Sequence, residues 1–444
     1  MMLELPSLVW QEWLSLFSYY ESLGAALILL LPFFLFFEVP MFVVVTLGVV
    51  RWYLTKLHRV PAVGHYVPRV SCLVICYNEG EVVQKTLRTL CEQVYPGEIE
   101  LIPVLDGAAQ NLDTLQGVRD FKLDKRLYPN RSIRPIAKWQ RGGRVSSLNA
   151  GLQIATGEVV LVMDADTTFD NNTVSALVPH FADPMVPAVA GSLRVGNPTS
   201  SLITRLQELE YFLTIHTSKT GLSEWNTINN VSGAFGAFRR EFLERVGGWD
   251  THTAEDLDLT LRIKSYFGRH PYRIPFEPAA VGHTDVPDTL GKFLKQRLRW
   301  DGDLFFLYVR KHSENMSPRL MGWRNFFMTL FTGFFFQMVV PFLIVLYTLA
   351  ILFLLPVAKV LALGVLLYLV YLGATVLLYL LGMLLVSERP KQDLRMLLVL
   401  PVYPFFTFCM RCWSAVCILN EIFRRGHEES SMAPWWVTKR GKRF

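Results

Sequence analysis

Asp164 and Asp166 stand one residue apart where the apolar run Val159-Val160-Leu161-Val162-Met163 stops. Such a run reads as a buried strand of a parallel sheet. In open α/β sheets, ligands bind just beyond the carboxyl ends of the strands. Two carboxylates placed there offer hard oxygen ligands for a divalent cation, and such a cation can hold a phosphorylated substrate. Taken alone, a D-x-D is more often a polar turn after a core strand, so the neighbouring segments have to decide.

They repeat the pattern. Arg69–Cys76 is expected as a strand ending in Tyr77-Asn78-Glu79-Gly80, and Ile99–Leu105 as one ending in Asp106-Gly107. A short strand is expected over Arg131–Ile136 and another near Ala188–Leu193. Helices are expected over Glu81–Gln93, from the Arg141-Gly142-Gly143-Arg144 turn through Leu148 and Leu152, and near Thr173–Phe181. Thr253-Ala254-Glu255-Asp256-Leu257-Asp258 reads as a helix start, with acids in the first turn and Leu257, Leu261 and Ile263 behind them. Alternating strands and helices with acids at strand ends describe a Rossmann-like sheet. Neither G-x-G-x-x-G nor a Walker A sequence is present, so phosphate would be gripped by metal and basic side chains.

Composition frames this domain. Of 444 residues, 51% are hydrophobic, and they concentrate at the two ends. Leu23 to Leu54 and Phe326 to Val386 are long enough to cross a hydrocarbon core of roughly 30 Å. The expected division is 1–59, interfacial and transmembrane; 60–312, a soluble domain; 313–426, an interfacial helix and further membrane helices; and 427–444, a basic tail. Spans are expected near Leu330–Leu355 and Val360–Val386. Pro401, Pro404 and Arg411 favour a re-entrant or interfacial helix over a full span for Met396–Phe423. Residues 7 to 20, with Trp10, Trp13, Tyr19 and Tyr20, suit an interfacial belt, and Pro61 and Pro68 mark the junction with the soluble domain.

The net charge of +6 matters less than its placement. Arg51, Lys56, His58 and Arg59 follow the first span; Arg310, Lys311, His312, Arg319 and Arg324 precede the second. The positive-inside rule places these flanks, the domain between them and the tail with Lys439, Arg440, Lys442 and Arg443 in the cytoplasm. These bases sit at membrane edges and fit anionic lipid headgroups better than nucleic acid. The start lacks a basic n-region and a cleavage site, so no removable signal peptide is expected. The six cysteines form no disulfide framework.

Tyr77-Asn78-Glu79, Asp106-Gly107, Asp164-Ala165-Asp166, Glu255-Asp256 and Gln296-x-x-Arg299-Trp300, in that order and framed by spans, resemble the processive family 2 glycosyltransferases: cellulose, hyaluronan, chitin-oligomer and poly-N-acetylglucosamine synthases. The resemblance covers about Val70 to Asp303. It implies an α/β GT-A (Rossmann-like) cytoplasmic catalytic domain between α-helical transmembrane segments of the cell membrane, using a UDP-sugar and Mg²⁺ or Mn²⁺. By that match Asp106 contacts the uracil, Tyr77 and Glu79 line the base, Asp164 faces ribose and diphosphate, and Asp166 ligates the metal with Asp164 beside it. Asp256, with Glu255 next to it, is the general base that deprotonates the acceptor hydroxyl. One base and one leaving group imply single displacement with inversion, so an α-linked donor gives a β-glycoside. Arg299 offers its fork of donors to the diphosphate, Trp300 stacks on the terminal sugar, and Gln296 bonds sugar or diphosphate.

Three departures stand out. Ala254 replaces the usual threonine before Glu255-Asp256. Arg144 stands where a lysine is common, leaving a phosphate contact of different geometry. Ala108 replaces a serine after Asp106-Gly107.

The implied function is a polysaccharide synthase extending a β-linked polymer from UDP-glucose or UDP-N-acetylglucosamine and guiding it through its own channel. Its partners would be the growing chain, membrane lipids and export or accessory subunits. Two alternatives are a transferase placing one sugar on a lipid acceptor and a non-catalytic membrane subunit that kept the fold.

Overall fold

The strands that end in candidate residues lie side by side. In the computed structural model, which describes residues 5–18, 32–58, 66–250 and 252–429, β1 (Val70–Cys76), β2 (Ile99–Asp106) and β5 (Val159–Asp164) are adjacent and parallel. All three are buried almost from end to end, with only Asp164 partly open. That follows from their unbroken apolar runs: a sheet covered by helices on both faces has no polar side to alternate with. The sheet has nine strands in the order β3-β2-β1-β5-β8-β7-β9-β6, with β4 also on β2.

Arg131–Ile136 divides into β3 (Arg131–Ile133) and β4 (Ile136–Lys138), both parallel to β2. Pro135 lies between them, and its missing N–H interrupts the ladder. The expected helix over Thr173–Phe181 tightens to a 3₁₀ turn, Val178–Ala182, where Pro179 enters. β8 (Phe235–Arg239) runs antiparallel between β5 and β7 (Ala188–Val195), and β9 (Phe276–Thr284) runs parallel to β7. β6 (Thr168–Phe169) pairs antiparallel with β9.

The helices used below are α1 (Val39–His58), α2 (Val82–Cys91), α3 (Arg144–Ile154), α4 (Leu202–Tyr211), α5 (Ser218–Glu224), α6 (Glu255–Lys264) and α7 (Leu290–Phe305). Among the described residues, four stretches are long and apolar enough to cross a membrane: Phe34–Leu57, Trp323–Leu354, Val357–Val386 and Tyr403–Arg424. They mark a membrane protein. Pro318–Met321 forms a separate turn, and Gly322, at φ +74°, breaks the chain before the long helix that starts at Trp323.

Tyr403–Arg424 is one continuous 22-residue helix. Pro404 falls in its first turn, where no helical hydrogen bond is lost, and Arg411 donates to the Phe336 carbonyl at 3.1 Å and stacks on the Phe336 ring. Pro401 falls in the turn at 400–402 that precedes this helix, and Pro404 and Arg411 leave it unbroken. Its other partners belong to the catalytic side: Trp413 Nε1 donates to the Leu294 carbonyl (3.2 Å), Ser414 to Asp301 (2.6 Å), and Arg310 pairs with Glu421 (2.7 Å). Tyr19, Tyr20, Arg59, Pro61 and the tail lysines and arginines from Lys439 lie outside the described residues.

Candidate active site

Asp106 ends β2, where Gly107 turns the chain in the left-handed region at φ +68°. A side chain at Gly107 would also crowd Arg141, whose Cβ is 3.1 Å from the position a Cβ would take. The Asp106 carboxylate is buried and accepts from Lys138 Nζ (2.7 Å), Gly142 N–H (2.8 Å) and Gly143 N–H (2.9 Å). It thereby shapes the Arg141–Arg144 turn. Arg141 in turn lies over the Tyr77 ring, 4.1 Å from its centre. Tyr77 is exposed.

Glu79 folds back to accept the Tyr77 N–H at 2.6 Å. Burial pushes its carboxyl up to about 7; the turn N–H groups oppose this, and Asp166 and Asp164 add to it. Asp166 keeps solvent access. Desolvation, and then the negative charge of Asp164, raise it to about 6. A cation among these groups would relieve both effects. Among the described residues no three His, Cys, Asp or Glu side chains are grouped closely enough to hold an ion alone. An ion fits this chemistry if the substrate's own oxygens complete its shell.

Arg144 opens α3 and reaches across the cleft. It donates Nη1 to Asp164, Nε to Glu255 at 2.5 Å and Nη2 to the Gly233 carbonyl at 2.6 Å. Three of the guanidinium's N–H donors go to protein acceptors. Asp164 belongs to β5 and Glu255 to α6, so one guanidinium holds the two candidate halves together. The carboxylates raise the guanidinium against the opposing effect of burial. Burial raises Glu255 in turn, Arg144 opposing it.

Asp256 is held by backbone and amide donors. Its Oδ2 accepts from Gly233 N–H (2.9 Å) and Asn230 Nδ2 (3.0 Å), and its Oδ1 from Leu257 N–H (2.7 Å). Ala254 takes φ +43°, a left-handed conformation unusual for alanine, and so turns the chain into α6. Behind the site, Lys219 of α5 donates to the Asn230 carbonyl at 2.8 Å. Burial lowers its amine to about 8, with Asp256 opposing the shift. Asp258, by contrast, is structural: burial is outweighed by His312, Arg262 and Lys311, which hold it well below the usual carboxylate range.

α7 brings Gln296, Arg299 and Trp300 alongside. Gln296 carries a buried Oε1 with no hydrogen-bond partner, and Arg299 makes no hydrogen bond or ion pair with the described residues. Both are groups a ligand could satisfy. Trp300 packs on the sheet core and under Arg297, whose guanidinium is 4.9 Å from its ring centre and pairs with Glu210 at 2.5 Å. Asp303 accepts the Thr253 hydroxyl, tying α7 to the loop that leads into Glu255-Asp256. Burial, partly offset by that bond, raises Asp303 to about 7. No role was read in the sequence for Lys138, Arg297, Glu210, Thr253 or Asp303, because the contacts that give them one form only in the fold.

The sheet is mixed and GT-A-like, with acids at the ends of adjacent strands and the helix bearing Gln296, Arg299 and Trp300 beside them. Residues 71–247 match the family model "Glycosyl transferase family 2". It is similar to poly-β-1,6-N-acetyl-D-glucosamine synthases of Staphylococcus epidermidis, one 34% identical over 236 residues (53% of this chain, 54% of the relative). A second from that species is 32% identical over 276 residues (60% and 64%), and one from Staphylococcus aureus 29% over 275 residues (60% and 64%). The chain therefore spans between 54% and 64% of the length of these curated relatives. A solved mannosyltransferase from Pyrobaculum calidifontis, in complex with GDP-Man and Mn²⁺, shares the fold: TM-score 0.52, 20% identity, 87% of this chain and 99% of that one.

Proposed function

We propose that this protein is a membrane-embedded inverting glycosyltransferase that polymerises a β-linked polysaccharide from a UDP-sugar. The observation that carries the reading is the Arg144 bridge, which sets the D-x-D acids and the Glu255-Asp256 pair on one cleft. The relatives' names favour UDP-N-acetylglucosamine over UDP-glucose as donor.

In the mechanism, Asp256 is oriented by Gly233 and Asn230 to take the proton of the acceptor hydroxyl. That oxygen forms its bond to the sugar's anomeric carbon as the bond to the UDP oxygen breaks, inverting the centre. Arg299 meets the departing diphosphate, Gln296 Oε1 accepts a sugar hydroxyl, and Trp300 stacks on the terminal sugar. Asp166 with Asp164 would hold Mg²⁺ or Mn²⁺, which would supply charge stabilisation for the leaving group. Tyr77, with Asp106 beneath it, frames the base.

Arg51 and Lys56 at one end of the domain and Arg310 and Lys311 at the other support a cytoplasmic orientation. The Tyr403–Arg424 helix, bonded to α7 and Arg310, fits an interfacial position. A ladder of rings (Phe331, Phe335, Phe37, Phe33, Tyr347), with centroids 4.6–6.5 Å apart, supports a sugar-binding path between helices. The test is purified full-length protein with Mn²⁺ and a panel of radiolabelled UDP-sugars. A high-molecular-weight product is expected. A single lipid-linked sugar would move the reading to the alternative transferase, and absence of transfer and UDP release with every donor would refute it.

A further inference from the structure

A second cavity, lined by none of these motif residues, lies where the catalytic domain meets the segment that follows the Val357–Val386 helix. It measures about 270 Å³, near the lower end of the roughly 300–1,000 Å³ typical of small-molecule sites. Arg194 at the end of β7, Arg205 of α4, and Arg389 and Arg395 of the following segment line it, with Glu208 and Asp393 the carboxylates among them. Four guanidiniums against two carboxylates leave an excess of two positive charges.

The arginines are not equally occupied. Arg389 is paired with Asp170, and Arg194 with the buried Asp393 at 2.6 Å. Arg194 still keeps a buried Nε that has no partner. Arg205 and Arg395 make no hydrogen bond or ion pair with the described residues, although both lie near enough to Glu208 to lower its burial-raised pKa. Like charges gathered around a cavity with donors unused repel one another until an anion enters, and planar guanidinium forks suit phosphate oxygens. The position is also suggestive: Arg389 and Arg395 come directly after an apolar helix of 30 residues, where phosphate headgroups lie.

We propose that this cavity binds a phosphate-bearing group, the headgroup of an anionic lipid or a soluble phosphate ester, between Arg205, Arg395 and the free Nε of Arg194. Such a ligand clasps α4 of the domain to the segment after the membrane helix. It is independent of the identity of the donor sugar.

The test uses the full-length protein in uncharged detergent and follows its thermal midpoint. Phosphatidylglycerol, phosphatidylcholine and glycerol phosphate are titrated in separate arms, and Arg205→Gln/Arg395→Gln is compared with the unaltered protein. A saturable rise with phosphatidylglycerol but not phosphatidylcholine, with a half-saturating concentration at least about tenfold higher in the double variant, is the result for a lipid site. A rise with glycerol phosphate, weakened in the same way, assigns a soluble ligand. Arg245→Gln, an exposed arginine of another helix, should leave either response unchanged. No rise in any arm, equal rises in the double variant, or an equal loss in Arg245→Gln would overturn the site.

Discussion

Asp164 and Glu255 share a single guanidinium. Arg144 donates to both and caps the Gly233 carbonyl as well, so the carboxylate at the end of β5 and the one that opens α6 are fixed relative to each other. A bare salt bridge would not require arginine, but three acceptors in three directions match its planar fork.

Replacing Arg144 by methionine leaves Glu255 buried without its counter-charge. Breaking one partner from such a pair typically costs about 3–5 kcal/mol. A fall of several degrees in thermal midpoint is expected, together with loss of transfer by about a hundredfold or more. Arg144→Lys should recover part of the stability and less of the activity. Parallel melting curves and UDP-release rates would check this.

Metal binding should depend on pH through the two raised carboxyls. Glu79 at about 7 and Asp166 at about 6 are each partly protonated at neutral pH or just below it. A cation binds the deprotonated forms, so affinity for Mn²⁺ with UDP should weaken as pH falls from about 7.5 to 5.5, and binding at pH 6 should release protons. Asp166→Asn should remove most of the binding. Electron paramagnetic resonance of free Mn²⁺ during titration reads both effects; an affinity flat across this range would contradict the cluster.

Lys264 has a different consequence. It is fully buried at the end of α6, its amine 3.3 Å from the Thr329 hydroxyl and without an ion pair among the described residues. Burial lowers it to about 7, below the roughly 10.4 of an unfolded lysine. Between those values the unfolded chain binds more protons, so stability should rise with pH from about 7 toward 10 and be least below 7. Lys264→Met should flatten that dependence and stabilise the protein at neutral pH by on the order of 2–3 kcal/mol. Thermal midpoints of both proteins from pH 6.5 to 9.5 would show it; parallel curves would contradict it.

Arg297 is expected to act through Trp300, on which it stacks while pairing with Glu210. Arg297→Met should raise the KM for a short oligosaccharide acceptor several-fold while leaving UDP affinity within about twofold. Arg297→Lys should restore little, since it lacks the stacking plane.

Much of the central sheet could be read in the sequence because β1, β2 and β5 are plain apolar runs, each ending in an acid or a turn. β8 and β9 were harder. Gly236 breaks the run of Phe235–Arg239, and β9 shifts register against β7 between Gly191 and Ser192, opposite Pro278, so neither shows a clean period. The motif residues were visible from type and order, but their partners were not. Arg144 was recognised as basic and near phosphate chemistry, yet its pairing with Asp164 and Glu255 joins three separate segments, and no local pattern encodes such a contact. Asp106 was legible as an acid at a strand end; that Lys138 and two backbone N–H groups would claim its oxygens depends on β4 pairing with β2.

The central claim is that Asp256 takes the acceptor proton while the opposite side of the cleft holds the donor. The most direct measurement compares Asp256→Asn with the unaltered protein for UDP binding in the presence of Mn²⁺ and for incorporation of sugar from UDP-N-acetylglucosamine. The variant should bind UDP within about threefold of the original and incorporate sugar at least about a thousandfold more slowly. Incorporation within tenfold of the original would show that another group removes the proton.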